Sequence, residues 1–263
     1  MKIGCCFSLW DEGILQFSTT GADYVETGFS SLGDKTIDQV RERGLVLREA
    51  GVSLEVMNLL FPGELRLTGP QADFAAVDRY LEENLPKAAA LGVDTVVFGS
   101  GGARRVPEGF PQEEAFSQLV ELGKHHVAPA MEAWGITCCV EPLNRTECNI
   151  LTTSGECLEL VKAVHHPRFQ LLIDLYHFDR EQEPLSEIAA CQEHLRHCHI
   201  ASAKNSRLIP LPGDGEDYLP FFQALKAGSY QGRLSLEGSM PGGISQIQTS
   251  ITYLKDLAGQ AGL

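Results

Sequence analysis

The chain has 263 residues, 43% hydrophobic and 21% charged, which is ample apolar material for a sizeable core. Its formal net charge of −14 is opposite to the basic footprint of a nucleic-acid binder, so no nucleic-acid partner is expected. No stretch approaches the roughly 20 apolar residues needed to span a bilayer, which predicts no membrane partner either.

The N-terminal run Met1-Lys2-Ile3-Gly4-Cys5-Cys6-Phe7 enters a strand-like segment with no secretory pattern, so a cytoplasmic location is expected. The eight cysteines form no zinc-knuckle or CxxC spacing. They read as small buried hydrophobes in a reducing compartment.

Apolar, β-rich runs predict strands near residues 2–8, 22–28, 53–60, 94–99, 136–142, 169–175, 195–201 and 232–238. Glu26 closes the second run, as a pocket residue or a structural pair. Phe7 and Trp10, after the first, suit an apolar pocket wall or plain core packing. The fourth run leads into Phe98-Gly99-Ser100-Gly101-Gly102-Ala103-Arg104-Arg105. Small residues there let the backbone approach a ligand, and Arg104 and Arg105 suit a phosphate or carboxylate.

Helical periodicity fills the intervals. Phe116, Leu119, Val120, Val127, Met131 and Trp134 form one stripe, and Ile244, Ile247, Ile251, Leu254 and Leu257 another. Thr153-Ser154-Gly155-Glu156 reads as a capping box. Pro86 and Pro129 fall inside helical patterns and predict kinks or breaks. Eight strand–helix alternations without a linker predict an α/β fold, a (β/α)8 barrel forming a single domain over residues 1–263. No Gly-x-Gly-x-x-Gly follows the first strand, which weighs against a dinucleotide-binding sheet.

Four residues stand at the ends of the later strands: Glu141, Asp174, His199 and Glu237. Their separations of 33, 25 and 38 residues are each about one strand–helix unit. A closed parallel ring directs all four to one spot at its carboxyl end. Three carboxylates and one imidazole there make a ligand set for a hard or borderline divalent metal. Alternation supports this. In Arg233-Leu234-Ser235-Leu236-Glu237 the leucines share one face and the polar groups the other, and His197 and His199 share a face opposite Cys198. His197, two residues deeper, reads as a buried supporting group, and His125, His126, His165, His166 and His194 as surface or helix-end residues.

Glu141-Pro142-Leu143-Asn144-Arg145-Thr146-Glu147, Asp174-Leu175-Tyr176-His177, His197-Cys198-His199 and Leu236-Glu237-Gly238 together resemble the xylose-isomerase-like barrel superfamily. Within it they are most similar to sugar epimerases and isomerases of the D-tagatose 3-epimerase and hydroxypyruvate isomerase kind. The resemblance implies one divalent ion, with Mn²⁺ ahead of Mg²⁺, Co²⁺ or Zn²⁺, on Glu141, Asp174, His199 and Glu237. It also implies that Glu141 and Glu237 serve as the acid/base pair. Glu147 and His177 match positions that contact substrate oxygens. The family's arginine six residues after the ligand histidine is Asn205 here, and Arg207 is the candidate replacement.

The implied activity is isomerisation or epimerisation of a ketose or hydroxy-keto acid through a metal-bound enediolate, on a small sugar or sugar-acid substrate. Whether the chain forms a homo-oligomer stays open. An inosose-type dehydratase would use the same residues. An apurinic-site endonuclease needs an Asp-x-His that Arg207-Leu208-Ile209-Pro210-Leu211-Pro212-Gly213 lacks. A non-catalytic barrel fits poorly with four retained ligands.

Overall fold

The computed structural model describes residues 1–263. Its strands are β1 (Lys2–Cys6), β2 (Tyr24–Gly28), β3 (Leu54–Asn58), β4 (Thr95–Phe98), β5 (Thr137–Val140), β6 (Phe169–Asp174), β7 (Leu195–Ile200) and β8 (Arg233–Leu236). All pair in parallel with their neighbours in chain order, and β8 returns to β1, closing the barrel. Each falls inside a run predicted from sequence. The helices are α1 (Ile37–Glu49), α2 (Phe74–Leu91), α3 (Gly101–Arg104), α4 (Gln112–Leu122), α5 (Ala128–Ala133), α6 (Ser154–Val164), α7 (Leu175–Arg180), α8 (Ser186–Cys191), α9 (Leu219–Ala227) and α10 (Gly243–Ala261). No helix is long and apolar enough to cross a membrane.

The apolar side chains divide into two layers, as strand alternation requires. Inside the barrel, Tyr24, Val56, Val97, Cys139 and Leu172 form a small cluster. Outward residues such as Leu234 and Leu236 join the larger core between strands and helices. The register of β7 against β6 shifts between Leu171 and Leu172, with Arg196 as the extra residue, so that Leu172 pairs with His197 and Asp174 with His199. That bulge keeps both histidines in phase with the inward side of β6.

Helix ends follow local chemistry. The Thr36 side chain accepts from the Gln39 backbone and the Gln39 side chain returns the bond, a complete capping box for α1. At α6 only half of the predicted box forms. Thr153 accepts from the Glu156 amide, but the Glu156 carboxylate takes the Thr152 amide at 2.6 Å instead.

The two prolines, both expected to kink or break their helices, behave differently. Pro86 lies within an unbroken α2, whose buried face of Val77, Leu81, Leu85, Ala88 and Leu91 holds the helix against the barrel despite the missing amide. Pro129 follows a π-helical turn at Gly123–Val127 that separates α4 from α5. The wider turn absorbs the irregularity. A side chain on Gly123 would lie 2.4 Å from Val164, so glycine is required there by close packing.

Candidate functional site

Glu141 follows β5, Asp174 ends β6, His199 lies one residue from the end of β7, and Glu237 follows β8. The barrel brings one donor atom from each to within 4.8 Å of the others. Asp174 and His199 are fully buried and Glu141 is 4% exposed. Three carboxylates crowd one space. Burial, then the neighbouring Glu237, raises the carboxyl pKa of both Glu141 and Asp174. Glu237 goes the other way: burial opposes its charge, but His199 and Arg207 outweigh that and hold it low.

His199 joins two groups of acids. Its Nδ1 lies 3.2 Å from Glu141 Oε1 and 3.5 Å from Glu237 Oε2, while its Nε2 lies 2.9 Å from Glu26 Oε1. Burial disfavours a charged ring, yet Glu26 and Glu237 lift its pKa well above the usual value. Glu26 is fully buried and bonded to both His197 and His199, so it is a structural pair rather than a pocket residue.

His177 presents a defined tautomer. Its Nδ1 receives the Asn144 amide at 3.1 Å and the Asn144 side-chain amide at 2.8 Å. Two donors on Nδ1 put the ring proton on Nε2. That Nε2 is buried without a hydrogen-bond partner, 3.5 Å from Asp174 Oδ2, which is also unpartnered. Burial, then Arg207, pushes the His177 pKa down to about 3, so the ring is a neutral donor.

Arg207 enters the site from the loop after β7, where Ser206 and Arg207 both adopt left-handed backbone at φ 54° and 58°. Its guanidinium lies 2.6 Å from Glu237 Oε2, 3.5 Å from Asp174 Oδ2 and 3.4 Å from Glu147 Oε1, and it stacks 4.6 Å from the Tyr176 ring centre. Asn205 points elsewhere, donating to Ser202 Oγ and the Asp214 carbonyl. Glu147 is partly exposed and held by the Asn144 side-chain amide at 3.0 Å.

The two loop arginines do not form a ligand cradle. Arg104 is 0% exposed and donates to the carbonyls of Phe98, Glu141 and Leu151, so its expected contact with an acidic ligand is corrected to an internal clamp. Arg105 is exposed and donates to the Glu147 carbonyl at 2.6 Å, bracing the loop that carries Glu147. The small residues here serve the protein itself. Gly99 leaves room for the Glu141 carboxylate, since a Cβ would sit 2.3 Å from Oε2. Trp10 donates to the Ser31 carbonyl and packs against the core.

Sequence reasoning missed Asn58, the last residue of β3, whose Nδ2 donates to Glu237 Oε1 at 3.2 Å. The available signal was the same one that marked the quartet, a polar residue closing an apolar strand on the inward side.

A closed ring of eight parallel strands with polar groups gathered at its carboxyl end defines the (β/α)8 barrel class. Residues 15–257 match the model of the xylose isomerase-like TIM barrel family, and the chain belongs to that family. A probable ketose 3-epimerase of Synechocystis sp. is 36% identical over 99 residues, covering 37% of this chain and 33% of that protein. D-psicose 3-epimerase of Agrobacterium fabrum is 27% identical over 199 residues, covering 72% and 65%. The matched regions thus span between a third and two thirds of these relatives' lengths. A solved L-ribulose 3-epimerase superposes with a TM-score of 0.82 at 18% identity, over 99% of this chain and 95% of that one, a likeness of fold.

Proposed function

We propose that this chain is a metal-dependent sugar epimerase or isomerase of the cytoplasm, acting on a ketose or hydroxy-keto acid. The carrying observation is the quartet of Glu141, Asp174, His199 and Glu237, with four donor atoms inside 4.8 Å. The named epimerases among its relatives support the same reading. The quartet suits a divalent cation. Burial and the neighbouring Glu237 raise the pKa of Glu141 and Asp174, and Asp174 Oδ2 has no hydrogen-bond partner. Three hard oxygens and one imidazole suit Mn²⁺, with Mg²⁺, Co²⁺ or Zn²⁺ as alternatives. When bound, such an ion supplies Lewis-acid polarisation of a carbonyl and its neighbouring hydroxyl.

The protein's own groups carry the rest. His177 Nε2–H and the Arg207 guanidinium offer donors to substrate oxygens, and Glu147 offers an acceptor at the rim. Glu141 and Glu237 stand three strands apart on the ring, so they reach a sugar carbon from different sides. One takes the proton beside the carbonyl onto a carboxylate oxygen and the other returns one, which inverts that carbon. If only one of them exchanges the proton, an aldose–ketose shift results.

The test is proton exchange. Mn²⁺-loaded protein incubated with a panel of ketoses in D₂O is expected to place deuterium beside the carbonyl, and Glu141→Gln and Glu237→Gln to abolish it. No incorporation across the panel with metal confirmed bound would sink the reading. An unsaturated diketone chromophore would replace it with dehydration.

A further inference from the structure

Below the quartet lies a second buried polar group. Glu26 on β2 is 0% exposed. Its Oε1 meets His199 Nε2 at 2.9 Å, and its Oε2 meets His197 Nε2 at 2.9 Å and accepts from Ser235 Oγ at 2.6 Å. The Ser235 oxygen is 2.7 Å from the Tyr24 hydroxyl. Each carboxylate oxygen therefore serves one imidazole, and the hydroxyl pair pins the second oxygen against rotation.

This arrangement constrains His199. A neutral imidazole has one N–H and one lone pair. Glu26 Oε1 can only accept, so it selects the proton on Nε2. Once a bound cation displaces the second ring proton, the lone pair falls on Nδ1, the atom facing Glu141 and Glu237. We propose that Glu26 is a positioning residue that fixes the ring orientation and Nε2–H tautomer through which His199 ligates a divalent cation at Nδ1. This rests on the metal reading of the quartet. A carboxylate behind a ligating histidine also increases the basicity of its free nitrogen. Glu26, His197 and His199 could instead be imagined as a second cation site. The contacts at 2.9, 2.9 and 2.6 Å already occupy both Glu26 oxygens, which favours the positioning role.

The experiment measures Mn²⁺ affinity and stoichiometry by competition with a chelating dye. It compares the wild-type protein, Glu26→Gln and the ligand control Asp174→Asn, each checked for folding by circular dichroism. One ion per wild-type chain is expected, with affinity weakened about 10- to 100-fold in Glu26→Gln. In parallel, ¹⁵N-histidine spectra of Zn²⁺-loaded wild-type protein should show the His199 ring proton on Nε2 and the metal-shifted nitrogen at Nδ1. The His199 signals are assigned by their absence in His199→Gln. The spectrum needs no change at Glu26, so it can overturn the proposal even if Glu26→Gln does not fold. Affinity within twofold of wild type in a folded Glu26→Gln, metal on Nε2, or two ions per chain would each overturn the proposal. Lost binding in Asp174→Asn beside unchanged binding in Glu26→Gln removes the positioning role alone. Failure of the wild-type protein to bind any divalent ion removes the metal reading as well.

Discussion

A Cβ on Gly99 would stand 2.3 Å from Glu141 Oε2, well inside van der Waals contact, and 3.7 Å from Leu143. Gly99→Ala should therefore turn the Glu141 carboxylate aside while leaving the strand intact. We expect kcat/KM on the substrate identified by deuterium exchange to fall on the order of 100-fold, with a melting temperature close to wild type. An active Gly99→Ala protein would show that the Glu141 position seen here is not required. At this scale the quartet is readable from sequence because strand alternation and unit spacing both point at the same four positions. Asn58 carries a similar mark, but an isolated amide lacks the chemistry that singles out a carboxylate. Arg104 and Arg105 are indistinguishable as neighbouring letters. Only packing makes one a buried clamp and the other an exposed brace.

At the scale of elements, the Arg104 guanidinium ties the end of β4 to the residue after β5 and to Leu151, itself held in left-handed backbone at φ 56°. Removing it takes a charged donor from three carbonyls: those of Phe98 and Leu151 keep the Glu141 and Leu143 amides, and that of Glu141 loses its guanidinium partner. Arg104→Ala should cost about 3 kcal/mol in urea unfolding, whereas Arg105→Ala should stay within about 0.5 kcal/mol. Equal effects would refute the clamp. Local signals locate these elements well: all eight strands, the stripe of α10 and the cap at Thr153 follow from periodicity and turn chemistry. Pro86 is where the local rule fails, because the buried face of α2 outweighs the propensity of one residue.

Over the whole molecule, all eight cysteines are free, and all but Cys6 are buried. Burial raises the thiol pKa of Cys5, Cys138, Cys139, Cys157, Cys191 and Cys198, pushing Cys5 up to about 12. Cys6 is raised as well, by burial and then by Glu26. A raised thiol stays protonated at pH 8 and reacts slowly. A thiol-reactive dye should thus find at most one slowly reacting group in the native protein and eight after denaturation. Several fast thiols in the native state, or fewer than eight on unfolding, would contradict this packing.

The repeat of apolar runs by itself determined the closed parallel barrel, since eight strand–helix units of one kind can bury their faces in few other ways. It also determined the quartet, because a barrel strand points alternate residues inward and its carboxyl end faces the site. Only the tertiary structure decided which nitrogen of His177 carries the proton, which arginine reaches the carboxylates, and that Glu26 bonds His199 and His197 inside the barrel. Those choices depend on contacts between residues as far apart in the chain as Glu26 and His199, about which periodicity carries no information.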